Sequence, residues 1–149
     1  DPDGRDGILV NYQGYPVNTG LGFKLHLGHS AAIAVEPGTG LTKYFEYGRY
    51  DEAKFGEVRQ QWVPNVIIGK DGKPNVKSLN ELYKYATRKY GKDSPVEAIY
   101  YKDADFQKII DFANERKNDK NRSPYSLIFP RVNCKTFAKD AIKAGRSVE

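Results

Sequence analysis

The chain has 149 residues, a length that suits one domain with a buried core. Its net charge of +5 favours anionic partners such as lipid head groups or bacterial cell wall, but the basic residues are too scattered for a nucleic-acid-binding arm. No apolar stretch approaches the roughly 18 residues of a membrane span, and a single cysteine excludes an intramolecular disulfide.

The first half of the chain predicts strands. Residues 1–20 are rich in Gly, Asp, Asn and Pro, which predicts an irregular leading segment or linker with one short strand at 8–11. We expect a single domain over residues 21–149. Alternation and composition predict further strands at 22–27, 29–35, 41–47 and 56–63. The sequence EPGTG, between the second and third of these, predicts a hairpin loop.

Helices dominate the second half. Ser78 and Glu81 form a capping-box pattern at the start of a predicted helix that Gly91 can end. A strand at 96–102 and a helix at 103–117 follow, and a last helix begins near Cys134 and ends near Gly145. This order predicts an α+β domain in which an antiparallel sheet packs against helices.

Cys134 is the first candidate for chemistry. Asn133 is a good N-cap residue, which places the thiol at the first position of the last helix. The unpaired N–H groups and the positive dipole end of a helix N-terminus favour the thiolate, the nucleophilic form of cysteine. The alternative is a buried, inert cysteine, because free cysteine is among the most buried residue types.

A nucleophilic cysteine needs a histidine base, and the chain contains two histidines. His29 lies beside a glycine at the start of a small, apolar strand, from which its ring can point into a cleft. His26 lies one strand earlier, in alternation with Phe23 and Leu25. We favour His29 as the base, and the alternative for either residue is a partly exposed histidine without a chemical role.

A third group should orient the imidazole. If EPGTG is a tight hairpin loop, Ala31 lies opposite Glu46. Because side chains alternate along a strand, Glu46 is then on the same face as His29 and diagonal to it. A register error of one residue would turn Glu46 away and leave it a solvated carboxylate. Asp51, just past the strand, is the alternative orienting group.

Three segments carry a family resemblance: LGHSAAIAV, TKYFEYGRYD and NCKTFAKDAI. Together they resemble the permuted papain-like cysteine hydrolases of the NlpC type, in which the histidine precedes the cysteine. Asn133, Cys134 and Phe137 also resemble the nucleophile motif of the lecithin:retinol acyltransferase-like branch. The first two segments most resemble toxin domains attached to type VI secretion spike or Rhs proteins. The resemblance begins at about residue 21, and its specific part is the pair of motifs around His29 and Cys134.

The resemblance implies a permuted papain-like fold with Cys134 as nucleophile, His29 as base and Glu46 as the third, polar residue. It implies a cysteine peptidase or amidase that cleaves peptidoglycan stem peptides in the target-cell periplasm after type VI secretion. A spike carrier and a cognate immunity protein are the implied partners, and no metal or organic cofactor is expected. The acyltransferase-like branch often has a second histidine at the third position, and its absence here disfavours a lipid substrate.

Two other functions remain open at this point. The same Cys–His pair could transfer or cleave acyl groups on lipids, or deamidate or cleave a protein. Lipid chemistry should leave an exposed apolar patch, which none of the predicted helices has. A non-enzymatic binding module, such as a spike-tip or adaptor domain, would instead keep Cys134 inert and far from His29. Trp62 and the tyrosines could line a peptide groove or belong to the core and its rim.

Overall fold

The structure is a computed structural model that describes residues 5–18, 24–26, 28–48, 57–118 and 134–147. The strands are β1 (Arg5–Tyr12), β2 (Pro16–Asn18), β3 (Lys24–His26), β4 (His29–Val35), β5 (Thr42–Gly48), β6 (Glu57–Gln61) and β7 (Val96–Asp105). The helices are α1 (Val76–Tyr90), α2 (Phe106–Lys117) and α3 (Cys134–Arg146).

Five strands form one antiparallel sheet in the order β6-β5-β4-β1-β7, while β2 and β3 pair separately. With three helices in the described part of the chain, the domain is α+β, as predicted. β1 lies between β4 and β7, so residues 5–12 of the predicted leading segment supply an inner strand. Position 7 of this strand is a glycine for a steric reason: a Cβ there would lie 2.6 Å from Ala104 Cβ and clash with it.

Helices cover both faces of the large sheet. We call the side that packs against α2 and α3 the α2–α3 face; its strand residues include Leu9, Ala32, Ala34, Phe45 and Tyr47. The opposite side, the α1 face, includes Ile8, Val10, Ala31, Ile33 and Tyr44. Alternate residues of one strand therefore enter two different cores, which explains why β4 is buried at all seven positions.

The start of α1 differs from the predicted capping box. Asn75 is the N-cap, and its side chain accepts a hydrogen bond from the backbone N–H of Ser78 at 2.7 Å. The Ser78 hydroxyl is turned to other partners, because it donates to the Asn75 carbonyl and accepts from the Ile67 N–H. The helix thus begins two residues before Ser78. Gly91 ends it as predicted, with its N–H bonded to the Ala86 and Thr87 carbonyls.

The boundary between β7 and α2 also lies later than predicted. β7 continues to Asp105, whose side chain caps α2 by accepting the Lys108 N–H at 2.9 Å. Of the predicted strand 22–27, the structure describes 24–26 as β3.

The β4–β5 hairpin has the predicted register. Ala31 lies opposite Glu46, and the Glu36 N–H bonds to the Leu41 carbonyl at 2.9 Å. The loop closes through Gly40, which has a φ of +79° and donates its N–H to the Glu36 carbonyl. Glu46 therefore projects from the same face of the sheet as His29.

Candidate active site

His29 begins β4, where it pairs with the last residue of β1, Tyr12. Its ring is stacked against the Tyr12 ring at 5.8 Å and lies 4.9 Å from that of Tyr15. The residue is only 9% exposed. These contacts hold the imidazole in one orientation at the end of the sheet.

Glu46 supplies a carboxylate to this ring. The distance between His29 Nε2 and Glu46 Oε1 is 3.0 Å, and both side chains are buried. A carboxylate oxygen accepts, so Nε2–H donates this hydrogen bond. The bond leaves Nδ1 as the ring nitrogen for a second partner.

Cys134 supplies this second partner. It is the first residue of α3, it is 5% exposed, and it forms a side-chain hydrogen bond with His29. Among the described residues, it is part of neither apolar cluster of the sheet faces. Although Cys134 is buried, it does not serve only to pack the apolar core. Its thiol lies at the N-terminus of α3 and contacts the His29 imidazole.

Gly28 lies where the start of α3 comes close to the start of β4. Its φ is +86°, a conformation that residues with a side chain adopt rarely. A Cβ at this position would lie 3.3 Å from the Tyr12 carbonyl oxygen and 3.6 Å from the Lys135 side chain. Lys135 directly follows Cys134, so the residue after the thiol lies close to the glycine that precedes His29.

The charge state of His29 follows from these neighbours. Burial by itself lowers the pKa of His29, but hydrogen bonds to Cys134 and Glu46 and the negative charges of both groups outweigh it and raise the pKa to about 9. Burial, and next the charges of Glu46 and Cys134, also raise the pKa of Tyr15. The site therefore favours the protonated form of the His29 ring at neutral pH.

Two tyrosine hydroxyls close the site on the α1 face. Tyr12 Oη and Tyr44 Oη are 2.8 Å apart, and neither residue is exposed. Burial raises the pKa of the Tyr12 hydroxyl, which keeps it neutral. The pair thus satisfies two buried polar groups without adding a charge beside Glu46.

A cavity of about 350 Å³ opens beside the histidine. Its lining includes Tyr12, Gly28, His29, Glu97, Lys135 and Lys139. This volume lies in the range of ordinary small-ligand sites.

The structure brings together the three site residues named from the sequence: Cys134, His29 and Glu46. Asp51 and the predicted N-cap Asn133 lie outside the described residues, and His26 is described only by its backbone in β3. Trp62 is 67% exposed, and its ring lies 5.1 Å from that of Tyr85 in α1. In the described residues, no group of three or more His, Cys, Asp or Glu side chains is arranged to hold a metal ion.

Sequence reasoning missed Tyr12 and Tyr15 as neighbours of the base. Their signal is the spacing NYQGYP, two tyrosines around a glycine turn in which Gly14 has a φ of +71°. That signal becomes informative only when β1 is known to pair with β4, because this pairing places Tyr12 beside His29.

The fold and the site together define an α+β protein with a buried cysteine–histidine–glutamate cluster at one end of an antiparallel sheet. The chain belongs to the family of TseH-like type VI secretion system effectors, whose family model matches residues 17–148. Family membership implies secretion by a bacterial type VI system. None of the helices that the structure describes is both long and apolar enough to cross a lipid bilayer.

A solved structure supports this assignment. The crystal structure of the type VI secretion system effector TseH is similar to this chain with a TM-score of 0.82 and 26% sequence identity. The similarity covers 97% of this chain and 78% of that one. A search of curated proteins gave no match.

Proposed function

We propose that this effector is a cysteine hydrolase that cleaves amide bonds in peptidoglycan stem peptides, and that its fold is the permuted papain-like fold of the NlpC type. Cys134 is the nucleophile, His29 the base and Glu46 the residue that orients the imidazole. The observation that carries the proposal is that one buried imidazole is hydrogen-bonded to both Cys134 and Glu46. A binding module has no need for this arrangement.

The proposed reaction begins with the ion pair of the Cys134 thiolate and the His29 imidazolium. The sulfur attacks the amide carbonyl carbon, and a C–S bond forms as the carbonyl oxygen gains negative charge. His29 gives its proton to the leaving nitrogen, the C–N bond breaks, and a thioester remains. His29 then takes a proton from water, and the resulting hydroxide releases the acid and restores the thiolate.

The start of α3 contributes to this reaction through its backbone. The N–H groups of the first turn of a helix have no partners within the helix, and the dipole places partial positive charge there. The backbone N–H of Cys134 is therefore a candidate donor to the oxyanion of the tetrahedral intermediate. Because Glu46 binds Nε2, the Nδ1 side of the ring is the side that exchanges protons with sulfur and substrate.

Family membership and charge support the proposed substrate. The chain belongs to a family of type VI secretion system effectors, and a net charge of +5 suits an anionic wall polymer. The proposed site of action is the target-cell periplasm. A spike carrier for export and an immunity protein that blocks the cavity beside His29 are the proposed partners.

Digestion of purified sacculi tests this proposal. The wild-type protein should release soluble peptides and create new amino termini, whereas Cys134→Ala should lose activity by about 10³-fold or more. Equal thermal unfolding of the two proteins serves as the control for folding. Digestion at matching rates would remove Cys134 as nucleophile, and binding of sacculi without any release by wild type would indicate a binding module.

A further inference from the structure

A second cavity continues from the one beside His29. It has a volume of about 440 Å³ and shares Asn11, Glu97 and Lys139 with the first cavity. The two form one groove that runs from the His29 ring along the side of α3 to Arg146. We call it the α3 groove.

The sheet forms the floor of the α3 groove. β7 is an edge strand, and α3 leaves part of its surface uncovered. Leu9 pairs with Ile99 and Asn11 with Glu97, so these β1 and β7 residues point to one face. Apolar and polar side chains alternate along this floor. Ile99 is 38% exposed, an unusual value for an isoleucine on a sheet face flanked by a helix.

The wall of the groove is basic. Lys135, Lys139, Lys143 and Arg146 all line it, and their spacing of four, four and three residues places them on one side of α3. Arg146 closes the far end, because its Nε lies 2.9 and 3.0 Å from the two Asp103 carboxylate oxygens and its guanidinium lies over the Tyr101 ring. Glu97, which accepts a hydrogen bond from the Asn11 side chain, is the one carboxylate that lines the described groove.

We propose that the α3 groove binds an extended, acidic arm of the substrate peptide, and that Lys139 and Lys143 recognise its carboxylates. This inference rests on the proposed function, because it places the scissile amide at Cys134 and the bound arm along α3. Residues four apart on a helix are separated by about 6 Å along its axis. Alternate side chains of an extended peptide are separated by about 6.6 Å, so two carboxylates on one side of the arm match the two lysines.

Binding of a soluble stem tetrapeptide to Cys134→Ala protein tests the groove without requiring cleavage. The probe is used in two forms, with free carboxylates and with the carboxylates amidated. Lys139→Glu with Lys143→Glu should weaken binding of the free form by about tenfold or more, and should leave the weaker binding of the amidated form unchanged. The matched control is Lys84→Glu with Lys89→Glu, which changes the net charge equally on exposed positions of α1, across the sheet.

The outcomes separate the two proposals. Equal dissociation constants for the groove and control variants would overturn the role of Lys139 and Lys143, and so would tighter binding of a DNA oligomer or of anionic vesicles than of the peptide. The proposed function would still stand if wild type digests sacculi. If the wild type binds the free tetrapeptide through the two lysines but releases nothing from sacculi, this result would support the proposed groove and contradict the proposed hydrolase activity.

Discussion

The two faces of the large sheet are buried by different chemistry. On the α2–α3 face the buried cluster is apolar and aromatic, with Phe137 of α3 at 5.7 Å from the Tyr47 ring and 5.9 Å from the Phe112 ring. On the α1 face, the end of the sheet next to Cys134 carries the buried His29–Glu46 pair. The two faces therefore have different roles. Apolar packing on the α2–α3 face fixes the position of α3. The first residue of α3, Cys134, then contacts the polar cluster that projects from the α1 face.

Removing the apolar anchor should have the largest effect on stability. Phe137→Ala takes away a fully buried ring, so we expect the free energy of unfolding to fall by about 3–5 kcal/mol. Urea denaturation measures this loss. Lys143→Ala, an exposed change on the same helix, should stay within about 0.5 kcal/mol of wild type. A loss below about 1 kcal/mol for Phe137→Ala would mean that α3 is fixed by something other than this face.

The polar cluster should make stability depend on pH. The folded pKa of His29 is about 9 against an ordinary value of 6.5, so the fold stabilises the protonated ring. This contribution, at most about 3 kcal/mol, is fully present below pH 6.5 and is lost as the pH rises through 9. The proposed thiolate releases a proton on folding, which offsets this dependence below the ordinary cysteine pKa of about 8.5. Urea midpoints at pH 8, 9 and 10 should therefore fall with pH. The fall should be smaller in Cys134→Ala, and equal slopes in both proteins would contradict the contact between sulfur and imidazole.

Glu46→Gln should act on the reaction more than on the fold. A neutral amide cannot stabilise the imidazolium by charge, so we expect hydrolysis to slow by about 10- to 100-fold. The pKa of His29 should fall, and the alkaline limb of the pH–rate profile should move to lower pH with it. Glu81→Gln, on an exposed position of α1, is the control. An unchanged pH profile in Glu46→Gln would mean that Glu46 has a structural role only and does not stabilise the imidazolium.

Much of the fold could be predicted because the deciding interactions are local. The period-two pattern and the EPGTG loop gave the β4–β5 register, and that register alone placed Glu46 on the face of His29. The place of β1 in the sheet is different, since it depends on pairing with strands that follow much later in the chain. Gly7 and Asp6 suggest a loop in the sequence, yet the glycine allows close packing and the buried Asp6 carboxylate accepts a hydrogen bond from Tyr100.

The site was partly predictable for a related reason. A single cysteine and two histidines left few choices for a nucleophile and its base, and the family resemblance favoured Cys134 and His29. The tyrosine rings beside His29 and the α3 groove depend on which strands lie next to each other. A sequence pattern within one element carries no such information, so these features required the structure.

Alkylation of the single cysteine tests the central claim most directly, because intact mass then reports Cys134 alone. The rate with iodoacetamide at pH 5.5 is compared for wild type, His29→Ala and a free thiol. A thiolate held by the imidazolium should make wild type react at least about tenfold faster than the free thiol, and His29→Ala should lose this advantage. Equal rates for wild type and His29→Ala, both no faster than the free thiol, would contradict the account.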